Sequence, residues 1–292
     1  MEKNVIIGTA RNGHVRLYLA DTKELVETAR KHHDMYPTSL AALGRSMSVT
    51  GIMGLMQKEK GEVITTTING GGPIGTILVV ADSDGNVKGF CGDPEVYLKY
   101  NDTGKLAVGA AVGKDGYLKV TKNLKLKQNY TSEVALQTGE IGDDYAYYFS
   151  VSEQIPTVIS VGVLVDTDYS CKSAGILLLE LLPNHTEEDI VCLEEMTKTL
   201  RPISSVLLEE HDLLKYAKSL FPDFECLEEK ELRFRCDCSR ERFMQNLLTL
   251  PKKDLLEVLE DDSFSIRCEF CNTTYTFDKN DLETIKQYVS DR

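Results

Sequence analysis

The sequence contains no tryptophan, only five histidines and no surplus of basic residues. The first absence excludes little, because a hydrophobic content of 42% is ordinary for a folded chain. No apolar run approaches the roughly 18–20 residues that a membrane-crossing helix requires. The opening Met1-Glu2-Lys3-Asn4 lacks the apolar stretch of a secretory signal. A cytoplasmic protein with no membrane partner is therefore expected, and in a reducing compartment stable disulfides are uncommon. The histidines show no H-E-x-x-H pattern, and none follows His211, which disfavours a catalytic zinc site built on imidazole.

The missing basic charge is equally informative. Net charge is −13; residues 1–180 hold 18 Lys+Arg against 21 Asp+Glu, and residues 181–292 hold 15 against 25. Nucleic-acid binding depends on cations that neutralise phosphates, so no nucleic-acid partner is expected for the acidic C-terminal part. Arg233, Arg235, Arg240 and Arg242 form a local basic fringe there.

That fringe surrounds the most telling residues of the chain. Four of the eight cysteines form two tight pairs, Cys236-Asp237-Cys238 and Cys268-Glu269-Phe270-Cys271, separated by 29 residues. Two cysteines so close together, with polar neighbours, can converge on one ion. Four thiolates match the tetrahedral preference of zinc, so Cys236, Cys238, Cys268 and Cys271 are the expected ligands of one zinc ion in the reduced state. The other four, Cys91, Cys171, Cys192 and Cys226, are scattered and are expected to be small buried hydrophobes.

Patterning predicts an α+β fold. Val15–Leu19 alternates like a strand, and helices are expected after Asp21 or Thr22 and from Pro37 through Met47. Strands follow at 63–68, 74–81 and 87–91, then a hairpin joining 106–112 to 117–121, a helix over 143–152, and strands at 157–165 and 175–182. Such hairpins interrupted by helices describe a large core domain over residues 1–182, with antiparallel pairing in place of a doubly wound parallel sheet. Gly70-Gly71-Gly72-Pro73-Ile74-Gly75 fits a dinucleotide fingerprint literally. The β-branched run after it is not a helix, so a tight turn or special backbone geometry is expected.

Residues 183–235 hold 13 acidic and 7 basic residues and read as a charged helical linker, with one helix capped by Thr186 and another near 209–220. Residues 236–292 then form a small zinc-binding domain. Ser239 should cap a helix bearing Phe243, Leu247 and Leu248; a helix spans Asp254 to Leu259; strands flank the second cysteine pair; Asn280 with Glu283 should cap the last helix. A module of this size has little core of its own, so a metal is a sensible staple.

Such a site is either a static structural clasp or a switch. Oxidation would remove the thiolate ligands, expel the metal and delete the staple. The spacing C-x-C, 29 residues, C-x-x-C, with Ser239-Arg240-Glu241-Arg242 after the first pair and Tyr275-Thr276-Phe277 after the second, resembles the 33-kDa heat-shock protein family of redox-regulated holdase chaperones. The glycine-rich turn at 70–75 and the chain length are also similar. The resemblance implies a molecular chaperone of the stress response, not an enzyme, that needs no ATP and is inactive while reduced and zinc-bound. It further implies redox disulfides pairing Cys236 with Cys238 and Cys268 with Cys271, unfolding of the zinc domain and linker, binding of unfolding client proteins, and a homodimer when activated. Two other readings compete: a thiol–disulfide oxidoreductase using the C-x-x-C pair, and a static zinc-ribbon interaction module.

Overall fold

The computed structural model describes residues 3–258 and 263–290. In chain order the elements are β1 (Val5–Ala10), β2 (Val15–Asp21), α1 (Lys23–His33), α2 (Pro37–Leu55), β3 (Val63–Asn69), β4 (Ile77–Asp82) and β5 (Asn86–Cys91). Then come α3 (Val108–Val112), β6 (Tyr117–Asn123), β7 (Tyr130–Ala135), α4 (Gly142–Tyr148), β8 (Thr157–Val165) and β9 (Cys171–Leu181). The helices α5 (Glu187–Thr199), α6 (Ile203–Glu209) and α7 (Leu213–Leu220) lead into β10 (Glu225–Lys230) and β11 (Arg233–Phe234). Last are α8 (Arg240–Leu247), α9 (Lys252–Val258), β12 (Phe264–Arg267), β13 (Thr274–Phe277) and α10 (Lys279–Ser290). The chain divides into two compact units, Met1–Arg235 and Cys236–Arg292.

The first unit is layered around α2. Every residue of this helix except Arg45 is buried, as expected of a helix that is apolar or small on all sides. One five-stranded sheet runs β10-β1-β2-β9-β8, a six-stranded sheet runs β11-β5-β4-β3-β6-β7, and α2 packs against strands of both. All pairings are antiparallel except β11 with β5. The hydroxyls of α2 are satisfied internally: Ser46 and Ser48 donate to the carbonyls of Ala42 and Gly44, and Thr50 lies 2.8 Å from Thr66 and 2.9 Å from the Tyr145 hydroxyl.

Strand β9 has apolar neighbours on both faces. Ile176 and Leu178 join the core around α2, while Leu177, Leu179 and Leu181 join a second core with Leu193, Ile203, Val206 and Phe221. The unbroken Ile-Leu-Leu-Leu run follows from that double burial, because alternation appears only when one face is wet. Helices α5 to α7 therefore cover the outer side of the five-stranded sheet, and the segment continues into β10 and β11. The start of α5 is tied down by Asp189, whose carboxylate accepts from the Thr186 main chain and hydroxyl and from Arg11 Nε and His14 Nδ1 at 2.8–2.9 Å. Burial opposes the charge, yet these partners hold Asp189 well below the usual carboxylate range.

Several expected elements need correction. Residues 106–112 are not a strand: α3 occupies Val108–Val112, and β6 pairs instead with β3 and β7. The Leu-Ala-Val-Gly-Ala-Ala-Val stretch suits a short helix whose small residues pack on α2. Its end meets the glycine-rich turn main chain to main chain. A Cβ on Gly70 would lie 2.2 Å from the Gly113 carbonyl oxygen, and one on Gly72 would lie 2.2 Å from that of Ala111. Close backbone approach thus accounts for these glycines, and strand β4 follows them.

Of the scattered cysteines, Cys91 and Cys171 are buried as expected, and burial pushes both thiols up to about 12. Cys192 is only half-buried and Cys226 is exposed. Cys226 sits on β10, whose six residues are all exposed because the strand closes one side of its sheet. In the second unit, Leu259, the expected end of a helix, lies outside the described residues. The last helix is capped two residues earlier than expected: Asp278 accepts from the Asn280 main chain, and Asp281 accepts from that of Asp278.

Candidate metal centre

The second unit is poor in core. Among the described residues its buried cluster is Leu255, Leu282 and Ile285, with half-buried Met244, Leu248, Phe264 and Tyr288 packed around it. Phe264 stacks on Phe277 at 4.8 Å, and Arg240 lies over the Phe277 ring. Besides this small apolar patch the unit carries its cysteines.

The local chain positions each of them. Cys236 and Cys238 lie just before extended Ser239, which caps α8 by accepting from the Arg242 main chain at 3.2 Å. An extended chain turns successive side chains to opposite faces, so the i, i+2 spacing sends both thiols the same way. Cys268 and Cys271 belong to the tight connection between β12 and β13. There the Cys268 amide donates to Thr273, the Asn272 amide donates to Cys268, and Asn272 adopts φ 57°. The turn places both thiols on one side.

All four Sγ atoms fall within 4.8 Å of one another. Cys236 Sγ lies 3.6 Å from Cys268 Sγ, and Cys238 Sγ lies 3.4 Å from Cys271 Sγ. A tetrahedron of sulfurs about 2.3 Å from a central zinc has edges of about 3.8 Å. The donor set and its spacing therefore fit a four-coordinate ion. The four cysteines could hold a metal, and no histidine or carboxylate joins them among the described residues.

Two neighbours were not anticipated as parts of the site. The Tyr275 hydroxyl is 3.2 Å from Cys238 Sγ and donates to the Cys238 carbonyl at 3.1 Å. Thr273 Oγ1 is 3.3 Å from Cys271 Sγ. Burial pushes the Cys236 and Cys238 thiols up. Burial also opposes ionisation of Cys271, but Thr273 and the neighbouring thiols bring it down to about 7. In the sequence Tyr275 is visible only as part of the Tyr275-Thr276-Phe277 motif; its hydrogen bond depends on the placement of β13 beside the first cysteine pair. The basic fringe is largely spoken for: Arg240 pairs with Asp281, Arg242 with Asp237, and Arg233 with Glu231. The C-x-x-C pair opens no helix, which separates it from the thioredoxin-like setting.

The fold and the cluster together define a two-unit α+β protein whose small C-terminal unit is organised around four thiols. Comparison with known proteins places it more closely. The model of the family described as "Hsp33 protein" matches residues 3–278. The "33 kDa chaperonin" of Alkaliphilus oremlandii is 42% identical, over 99% of this chain and 98% of that protein. That of Geobacillus kaustophilus is 41% identical over 95% of both. The crystal structure of the 33 kDa chaperonin (heat shock protein 33 homolog) from Thermotoga maritima superposes with a TM-score of 0.92, at 33% identity and full coverage of both chains. The chain belongs to the Hsp33 family. No helix among the described residues is long and apolar enough to cross a membrane.

Proposed function

We propose that this protein is a redox-regulated, ATP-independent holdase that binds unfolding proteins in the cytoplasm after oxidation. The observation that carries this reading is the convergence of four thiols within 4.8 Å in a unit with so little core. Cys236, Cys238, Cys268 and Cys271 would hold one zinc ion, which when bound supplies a structural clasp for the small unit. Structural zinc contributes about 10–16 kcal/mol in peptides, comparable to or above a whole domain's stability of about 5–15 kcal/mol. Removing it leaves the unit to a small core of Leu247, Leu255, Phe277, Leu282 and Ile285.

Peroxide supplies the oxidant. Cys236 with Cys238, and Cys268 with Cys271, would each give up two electrons as their two thiolates form an S–S bond, and one peroxide per pair, taking two protons from solvent, would be reduced to two waters. Disulfide sulfurs are poor metal ligands, so the oxidised pairs would no longer hold the ion. The small unit and the charged helical segment before it then unfold, clients bind to the surface so released, and the activated chain forms a homodimer. Placement of the C-x-x-C pair in a hairpin connection favours this reading over a thiol–disulfide oxidoreductase, and the acidic C-terminal part favours it over a nucleic-acid-binding zinc ribbon.

The test is metal content, free thiols and client light scattering, each before and after peroxide with mild heating and without ATP. One zinc and about four thiols should disappear together, and scattering should be suppressed only by the oxidised protein. Equal suppression in both states, with zinc retained after oxidation, would sink the reading.

A further inference from the structure

The chain as a whole is acidic, yet one corner of the first unit is not. Two loops meet there, residues 56–62 ahead of β3 and residues 124–129 between β6 and β7. Strand pairing sets them side by side, because Val63 at the start of β3 lies opposite Asn123 at the end of β6. Lys58 and Lys60 stand on the first loop, Lys125 and Lys127 on the second, and all four are exposed. Among the described residues none of the four pairs with a carboxylate.

The acids close by do not cancel this charge. Glu62 is buried, and its carboxylate accepts from the Lys58 and Glu59 amides at 3.1 Å. Glu153 is taken by Lys122 at 2.6 Å. Four lysines against Glu59 and Glu62 leave the two loops at +2, in a chain whose net charge is −13. The acidic helices α5 to α7 lie over the other sheet, and at physiological salt charges more than about 8 Å away are largely screened.

The basic corner also carries the most exposed large apolar side chain among the described residues. Leu126, between Lys125 and Lys127, is 70% exposed, and Tyr130 at the loop's exit is 55% exposed. The loop is built rather than slack. The Asn123 side chain accepts from the Lys125 amide at 3.1 Å, Lys125 adopts φ 56°, and its Nζ donates to the Lys60 carbonyl at 2.5 Å, which ties the two loops together. A single exposed leucine needs no explanation. What sets Leu126 apart is its setting, since Leu227 and Val191, the other strongly exposed aliphatic side chains outside the π-helical turn after α4, stand on β10 and α5 among glutamates.

We propose that this corner is a peripheral docking site for an anionic lipid bilayer. Leu126 enters the boundary between headgroups and acyl chains, Tyr130 rests at the headgroup level, and Lys58, Lys60, Lys125 and Lys127 face the phosphates. A soluble polyanion would engage the lysines and leave Leu126 in water, whereas a bilayer engages both, and that favours the bilayer. Contact of this kind needs no membrane-crossing helix. The absence of such a helix therefore does not exclude a membrane partner. Each lysine near an anionic surface is worth about fivefold in affinity, so four of them give binding that is reversible and sensitive to salt. The site lies wholly in the first unit and does not depend on the redox reading.

The test sediments the reduced, zinc-loaded full-length chain with vesicles of equal parts phosphatidylglycerol and phosphatidylcholine, and with vesicles of phosphatidylcholine alone. Binding should appear only with the anionic vesicles and fade as salt rises. Lys125→Gln combined with Lys127→Gln should weaken it about 25-fold, two steps of fivefold. Because the chain has no tryptophan, Leu126→Trp installs a single reporter. Its emission should shift to the blue on anionic vesicles and be quenched by lipids brominated on their acyl chains. All these changes fall on exposed side chains, so the melting transition of the first unit should stay at its parental value. Failure of the parent to bind anionic vesicles, or parental binding by the double variant, would overturn the proposal. Vesicle-bound Leu126→Trp protein without a blue shift, displaced by inorganic polyphosphate, would show lysines meeting phosphate with no insertion, and the bilayer would be the wrong partner.

Discussion

The two units of this protein solve the same problem with different means. Around α2 the first unit buries dozens of apolar side chains, including Leu40, Leu43, Met47 and Ile52 at full burial, and a second apolar layer lies beyond β9. Among the described residues the second unit buries only Leu247, Leu255, Phe277, Leu282 and Ile285 besides its cysteines, and it brings four thiols together. The first is stable through many small contributions, none of which any single reaction removes. On the proposed function the second concentrates its stability at four sulfur atoms, and thiols are among the few groups that oxidants reach under mild conditions. That reading sets the redox-sensitive element where the core is smallest.

The largest expected effect breaks that contrast at its weakest point. Removing metal with a chelator from the reduced, zinc-loaded chain should unfold the second unit and leave the first folded, because roughly 10–16 kcal/mol of binding free energy is lost from one unit alone. Amide exchange resolved by segment checks this. Persistent protection across β12, β13 and α10 without metal would show that the small core suffices. Cys268→Ser should reproduce the effect without chelator.

A smaller effect probes the other side. Leu43→Ala in α2 should cost about 2–5 kcal/mol, since a fully buried side chain leaves a cavity between two sheets. The melting transition of the first unit should fall while metal content and thiol reactivity stay at parental values. A simultaneous loss of metal would mean that the two units share their stability.

The subtlest test uses pH. Glu180 on β9 is buried beside Arg16, and burial raises its carboxyl to about 7. A raised folded value means that the native state holds the proton more tightly than the unfolded one. The stabilisation is complete below the unfolded value of about 4.3 and is lost as pH climbs through about 7. Stability of the first unit should fall by roughly 2–3 kcal/mol between pH 5 and pH 8. Glu180→Gln should flatten that slope. An unchanged slope in denaturant titrations would assign the ionisation elsewhere.

Local signals were the ones legible from sequence. The cysteine spacing, the Ser239 and Thr186 caps and the apolar run of β9 each depend on residues a few positions apart, and the structure has all of them. Residues 106–112 misled because small apolar residues satisfy both a strand and a short helix, and only the proximity of α2 and the glycine turn decides between them. Cys226 misled for a related reason: residue type predicts burial on average, but a strand at the sheet's end has no layer over it.

By itself, then, the sequence determined which four thiols lie in two tight pairs that converge, since the short spacing within each pair keeps its two thiols together whatever surrounds them. It also determined the acidic balance of the chain. Tertiary structure decided the order of strands in each sheet, which tyrosine reaches Cys238, and which unit has the larger core. These depend on elements far apart in the chain being brought together, and no local pattern carries that information.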